Sequence, residues 1–189
     1  MKNATLAFLS LLYISAVTQF PYMAHANGLE TEQVSDHIDL SNVKVMFKLK
    51  VFGLARIKGR FDRLSGSMMN DNNGDPYSVS MRIDVSSINT NDEDRDDFLR
   101  GPAFFAAEHY PHIMFQGHCQ TLQADGRARL IGVLQLRGYS KQIAFDIEAI
   151  EKDGGINGYQ ARARIKRSDF GLNSLKLIVS DDVEIVVAM

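Results

Sequence analysis

The feature that most constrains this chain is strict alternation. From Val43 to Val51 every odd position is apolar, while Lys44, Lys48 and Lys50 stand among the others. Side chains that change face at each step belong to a half-buried strand, because a helix would scatter the same pattern around its circumference. After a turn at Gly53 the alternation resumes from Ala55 to Phe61, with Arg56, Lys58 and Arg60 outward, as in a hairpin. The same period runs through Tyr77 to Val85, Ile113 to Cys119, Leu130 to Leu136, Ile143 to Ala149, Tyr159 to Ile165 and Val183 to Met189, and Ser65 to Met69 adds a short piece. Asn70 to Pro76 reads as a loop, Ala124-Asp125-Gly126 as a hairpin turn, and Lys152 to Gly155 as another loop. About eight strands result. One face of nearly every strand is apolar, and there is too little helix to cover a flat sheet. The expected fold is therefore all-β, an antiparallel eight-stranded barrel. Such an interior is either filled by side chains or holds one ligand. The small inward residues Ala55, Gly59, Gly117, Ala161 and Ala163 favour space inside.

One stretch interrupts the strands. Asn91 to Phe115 carries helix grammar: Thr90 with Glu93 has capping-box spacing, and Asn91 with Asp94 is an equally good register. Acidic residues crowd the first turn, Arg100 sits in the last, and Gly101-Pro102 ends it. A second short turn is expected over Pro102 to Ala107. Phe98, Leu99, Phe104 and Phe105 form one apolar face that needs something to cover. The reading is a short helical insert between middle strands that lids one end of the barrel.

The N-terminus stands apart from this pattern. Lys2, the apolar run Ala4 to Val17 and the small-x-small triplet Ala24-His25-Ala26 spell a secretory signal, expected to leave a mature chain starting near Asn27. Residues 27–189 then form a single domain, placed outside the cytoplasm. The whole chain has 23 acidic and 21 basic side chains, a balance that argues against a nucleic-acid partner. Cys119 is the only cysteine, so no intrachain disulfide forms and the core must hold the fold. His109-x-x-His112 has metal-like spacing, but Pro111 breaks any helix there and further ligands are missing. Cys119 reads as a buried thiol rather than a nucleophile. Arg95 and Asp96 are read as structural partners that hold the insert, with a functional role as the alternative. No arrangement of catalytic residues stands out, no metal or cofactor is expected, and the protein is read as non-enzymatic.

In the order they occur, several short motifs together resemble the YceI-like family. They are Ile38-Asp39; Gly53 with Gly59-Arg60-Phe61; Ile83-Asp84-Val85 with Ser87-Ile88-Asn89-Thr90; and Arg95-Asp96 with Leu99. Phe104-Phe105 with Tyr110-Pro111 and Phe115 follow, then Gly132-Val133-Leu134 with Leu136 and Gly138, Asp169-Phe170-Gly171-Leu172, and Ser180-Asp181. The resemblance implies a secreted or periplasmic, lipocalin-like barrel associated with polyisoprenoid binding. Asn42 and Val43 stand where many members carry histidine and serine. Val51 stands where a histidine often precedes the hairpin turn, and Phe98 where one often follows the Arg-Asp pair. These departures bear on head-group preference, not on the barrel.

The expected function is a carrier that sequesters a long apolar ligand, an amphiphilic isoprenoid-type lipid, with its head group at the barrel mouth near the insert. The alternative is a secreted interaction or stress-response barrel with a filled core. Strand parity and the insert nominate Phe47, Leu49, Phe61, Met81, Ile83, Phe98, Phe104, Phe115, Leu134, Phe145 and Ile165 as ligand-binding. The basic run from Lys44 to Arg63 suits transient contact with a membrane surface or a ligand phosphate, and equally a solvated face. A homodimer is compatible with an exposed barrel end.

Overall fold

A computed structural model describes residues 36–40, 42–70, 77–122, 127–152 and 154–189. The expected signal segment through Ala26, the polar lead up to residue 35, residues 71–76 of the expected loop and the Ala124–Gly126 turn lie outside the described residues.

In chain order the strands are β1 (Asp36–Asp39), β2 (Lys44–Val51), β3 (Ala55–Phe61), β4 (Leu64–Asn70), β5 (Ser78–Asp84), β6 (Ile88–Asn89), β7 (His112–Leu122), β8 (Arg127–Leu136), β9 (Tyr139–Lys152), β10 (Gly155–Lys166) and β11 (Val179–Ala188). One helix, α1 (Glu93–Arg100), lies between β6 and β7, and short 3-10 turns occupy Val85–Ser87 and Arg167–Phe170. All strands join one antiparallel sheet in the order β1-β4-β5-β7-β8-β9-β10-β11-β2-β3-β6.

β3 and β4 stand near opposite ends of that order, yet only Asp62 and Arg63 separate them in sequence. Chain continuity thus ties the two ends of the sheet together and curls it into a barrel-like shell. The joint is fixed by backbone bonds, Asp62 N donating to Ser87 O at 3.1 Å and Asp84 N to Arg63 O at 3.0 Å.

The count of eleven strands corrects the expected eight. β1 has 4 residues and β6 has 2, too few to show a period in sequence. The expected break between Ala55–Phe61 and Ser65–Met69 falls at Asp62-Arg63, where pairing passes from β2 and β6 to β5 and β1.

Register carries the alternation to the interior. Val45 lies opposite Phe61, Met81 opposite Phe115, and Phe115 opposite Leu134, and all are buried. Together with Ile83, Ile113, Leu136, Phe145, Ala161 and Ala163 they make one continuous core. The expected inward residue Ala55 is exposed, because it sits next to the hairpin tip where the strand runs past the core.

The glycines of the inner face serve aromatic rings. Gly59 faces Phe47 across β2 and β3, and a Cβ there would run into the Phe47 ring. Gly117 lies opposite Gly132, and the Phe115 ring occupies the space that side chains at either position would need. These small residues were expected to leave room; part of that room is filled by Phe47 and Phe115.

A cavity capped by the helical insert

Inside the shell is a cavity of about 170 Å³. Its wall includes Phe47, Leu49, Phe61, Met81, Ile83, Phe104, Phe115, Leu134, Phe145 and Ile165 from the nominated set. Each strand residue among them reaches the interior by strand parity. Leu99 and Phe105, from the apolar face expected on the insert, join the wall, and so does Leu172, which sequence reasoning did not name and the loop after β10 delivers. The lining is almost entirely hydrocarbon.

Phe98 is a correction. It does not line the cavity; it is 47 % exposed and packs edge-to-face on Phe104 from outside, ring centroids 5.2 Å apart. The cause is the rotation of α1. Asp92, not Thr90 or Asn91, caps the helix, accepting from Arg95 N at 3.1 Å. Asp96 is buried and accepts from Thr90 N at 2.9 Å and from Thr90 Oγ1 at 2.6 Å. With about 100° per residue, a helix that turns Asp96 inward turns Leu99 inward as well and Phe98 aside.

Arg95 completes this clamp. It donates to Thr90 Oγ1 at 2.8 Å and Thr90 O at 2.9 Å, and pairs with Asp92 at 3.0 Å. Both members of the Arg-Asp pair are thus committed to holding the insert. Its far side is tied down too. Arg137 donates to Pro102 O and Gly171 O, and Ser174 Oγ donates to Ala103 O at 2.6 Å. Phe105 then meets Phe61 edge-on, at 6.0 Å between centroids.

Arg167 is the charged side chain in the wall, and sequence reasoning missed it. It is buried and donates to the carbonyls of Leu172, Ser174, Val179 and Ser180. Four of its five N–H donors are committed to folding the loop between β10 and β11 over the cavity. Burial lowers its pKa, and the neighbouring Asp181 opposes that shift. Nothing in sequence marks such a residue, since its partners are backbone atoms gathered by the loop itself. Cys119 faces the cavity and burial pushes its thiol pKa up, which keeps it protonated and unreactive. His118, next to it, points outward to Gln120 at 3.1 Å.

The lining is buried at Ile83, Ile113, Leu136 and Phe104, and half-buried at Leu99 and Phe105 of the insert itself. It is half-buried also at Cys119, Leu130, Ile147 and Val187. Of the histidine pair, His109 is exposed and His112 opens β7. Among the described residues no group of three or more His, Cys, Asp or Glu side chains gathers as for a metal ion.

A curled antiparallel shell around one apolar cavity, capped by a short helix, defines a class of barrel-like proteins built around an oily interior. Residues 37–189 match the model of the YceI-like domain, and the chain belongs to that family. Among its relatives, a UPF0312 protein of Vibrio cholerae is 26 % identical over 180 residues, covering 92 % of this chain and 93 % of its own. A UPF0312 protein of Yersinia pestis is 27 % identical over 151 residues, 77 % of this chain and 78 % of its own. Among solved structures, the YCEI protein of Campylobacter jejuni is similar at TM-score 0.60 and 28 % identity, over 74 % of this chain and 86 % of its own. BcnA of Burkholderia cenocepacia gives TM-score 0.68 at 23 % identity, over 80 % of this chain and 97 % of its own. A polyisoprenoid binding domain from Saccharophagus degradans gives 0.57 at 17 % identity, over 78 % of this chain and 92 % of its own. At those last two identities the likeness is one of fold.

Proposed function

We propose that this protein is a non-enzymatic carrier that sequesters a long, slender apolar molecule, a polyisoprenoid or related lipid, inside its shell. The observation that carries the reading is the wall of the cavity. Its one charged side chain among the described residues, Arg167, is occupied by four carbonyls, and its one thiol is held protonated. Nothing there is free to do chemistry; what remains is apolar surface, which gains ~0.8 kcal/mol per CH₂ it buries. The polyisoprenoid binding domain of Saccharophagus degradans, which shares the fold, supports the choice of ligand class. The sequence pattern of residues 1–26 supports action outside the cytoplasm, in a periplasm or beyond, after that segment is removed.

At about 170 Å³ the cavity is tighter than the ~300–1,000 Å³ pockets that hold compact drug-sized ligands. That favours a thin chain threading between rings over a broad ring system. It also favours the rival reading, a secreted interaction barrel whose own side chains fill the core. Organic extraction of the purified protein followed by mass spectrometry separates the two. A co-purifying isoprenoid, or tight uptake of an added isoprenoid alcohol, is the expected result. Protein that emerges empty and rejects the added lipid overturns the carrier reading in favour of the filled barrel.

A further inference from the structure

The β2–β3 hairpin and the loop before β11 meet outside the cavity and form an apolar tip. Phe52 N donates to Ile178 O at 2.8 Å, and Ile178 N donates to Leu175 O at 2.9 Å, so the two loops are one unit. From this unit project Phe52, 71 % exposed; Leu54, 91 %; Leu175, 43 %; and Leu177, 100 %. Large side chains in such number at a turn, where polar residues would serve, mark an interaction surface.

The backbone sharpens the point. Phe52 and Leu175 hold φ of 51° and 56°. Bulky residues seldom adopt this left-handed region, and glycine or asparagine would adopt it more readily. Neither side chain is recovered by packing in the core.

Cations surround the tip. Lys50, Arg56, Lys58 and Lys176 are exposed beside it. The outer faces of β2, β3 and β10 form a groove lined by Lys48, Lys50, Arg56, Lys58 and Arg164, answered only by Asp182 and Glu184. This concentration of positive charge sits on a chain whose net charge is −2.

We infer that this tip docks on an anionic lipid bilayer, with Phe52, Leu54 and Leu177 entering the interface and the flanking lysines and arginines meeting lipid phosphates. Apolar side chains beneath a cationic belt are the physical requirements of a surface-bound, non-spanning contact. A second copy is the poorer occupant. A two-fold contact sets each patch against itself, and here it would bring the two cationic belts together.

The chain has no tryptophan, so one introduced at the tip reports from there alone. In the full chain, Leu177→Trp is mixed with vesicles of equal phosphatidylglycerol and phosphatidylcholine, and with phosphatidylcholine alone. Its emission is expected to shift to the blue and to be quenched by brominated acyl chains with the anionic vesicles only, and the shift is expected to fade in molar salt. Ile156→Trp, at the start of β10 away from the tip, is expected to report no burial. The pair Lys50→Glu and Lys58→Glu, added to the reporter, is expected to lower partitioning about tenfold or more. Should Leu177→Trp fail to fold, Leu54→Trp takes its place. An unmoved tip reporter, equal shifts at both reporters, or a shift that grows with protein concentration without vesicles each overturns the inference; the last would mean self-association. None of these readings requires lipid in the cavity, so their failure and failure of the carrier reading are told apart.

Discussion

At the scale of single residues, the buried polar groups of this protein serve the backbone. Asp96 binds Thr90 twice, once at the amide and once at the hydroxyl. Asp96→Asn keeps the shape but removes the charge that strengthens both bonds, and puts an NH2 group where Oδ2 accepts from Thr90 N at 3.2 Å. We expect it to destabilise the fold by about 1–3 kcal/mol, read from urea unfolding against wild type. The paired glycines make a second expectation. A Cβ at Gly132 would meet the Gly117 Cα at 2.6 Å, which is backbone and does not yield. A Cβ at Gly59 meets chiefly the Phe47 ring and the Thr90 methyl, which are side chains. Gly132→Ala should therefore lower the melting temperature more than Gly59→Ala, and Gly59→Ala should reduce lipid uptake by pushing Phe47 further into the cavity.

At the scale of elements, the insert works through rotation. Phe105 enters the wall against Phe61, whereas Phe98 lies outside on Phe104. Phe105→Ala should speed release of a bound isoprenoid severalfold, while Phe98→Ala leaves release nearly unchanged; a displacement assay with a fluorescent fatty chain measures both. The contrast also shows what was legible in sequence. Strand parity places Phe47, Phe115 or Ile165 inward because a period of two allows only two answers, and the alternation picks one. A helix of 8 residues offers no such binary choice. Its facing depends on Asp96 finding Thr90, a contact that side-chain identity alone does not announce. Arg167 was invisible for a related reason: its acceptors are carbonyls, and every residue has one. The short strands β1 and β6 were missed because pairing, not pattern, makes them strands.

At the scale of the molecule, acid should loosen the shell at its joints. The Ser86 hydroxyl, with Arg63 beside it, holds the Asp84 carboxyl below its ordinary 3.8. Ser168 does the same for Asp181, and Asn89 with Arg60 for Asp62. In each case the folded protein keeps the carboxylate charged at pH values where the unfolded chain takes up a proton. The resulting stabilisation is complete above about pH 5 and is lost as pH falls through the unfolded and then the lower folded values. These groups are near the surface, so the effect of each is modest. Unfolding free energy should fall as pH drops below about 5, and the double change Asp84→Asn, Asp181→Asn should flatten that slope. Asp84 grips Arg63 at the point where β3 passes into β4, so the titration acts on the join that curls the sheet.

The occupied guanidinium of Arg167 leaves the interior as a solvent rather than a lock. A wall of hydrocarbon and sulfur, whose guanidinium is turned to backbone carbonyls, reads little of a functional group; it ranks molecules chiefly by how much they prefer oil to water. Affinity for a carrier of this kind should climb by a near-constant factor with each isoprene unit until the cavity is full. It should then stop, and exchanging an alcohol for another small terminus should change it little. On the carrier reading, selectivity beyond chain length and thickness has to be exercised before entry, by whatever hands the lipid over.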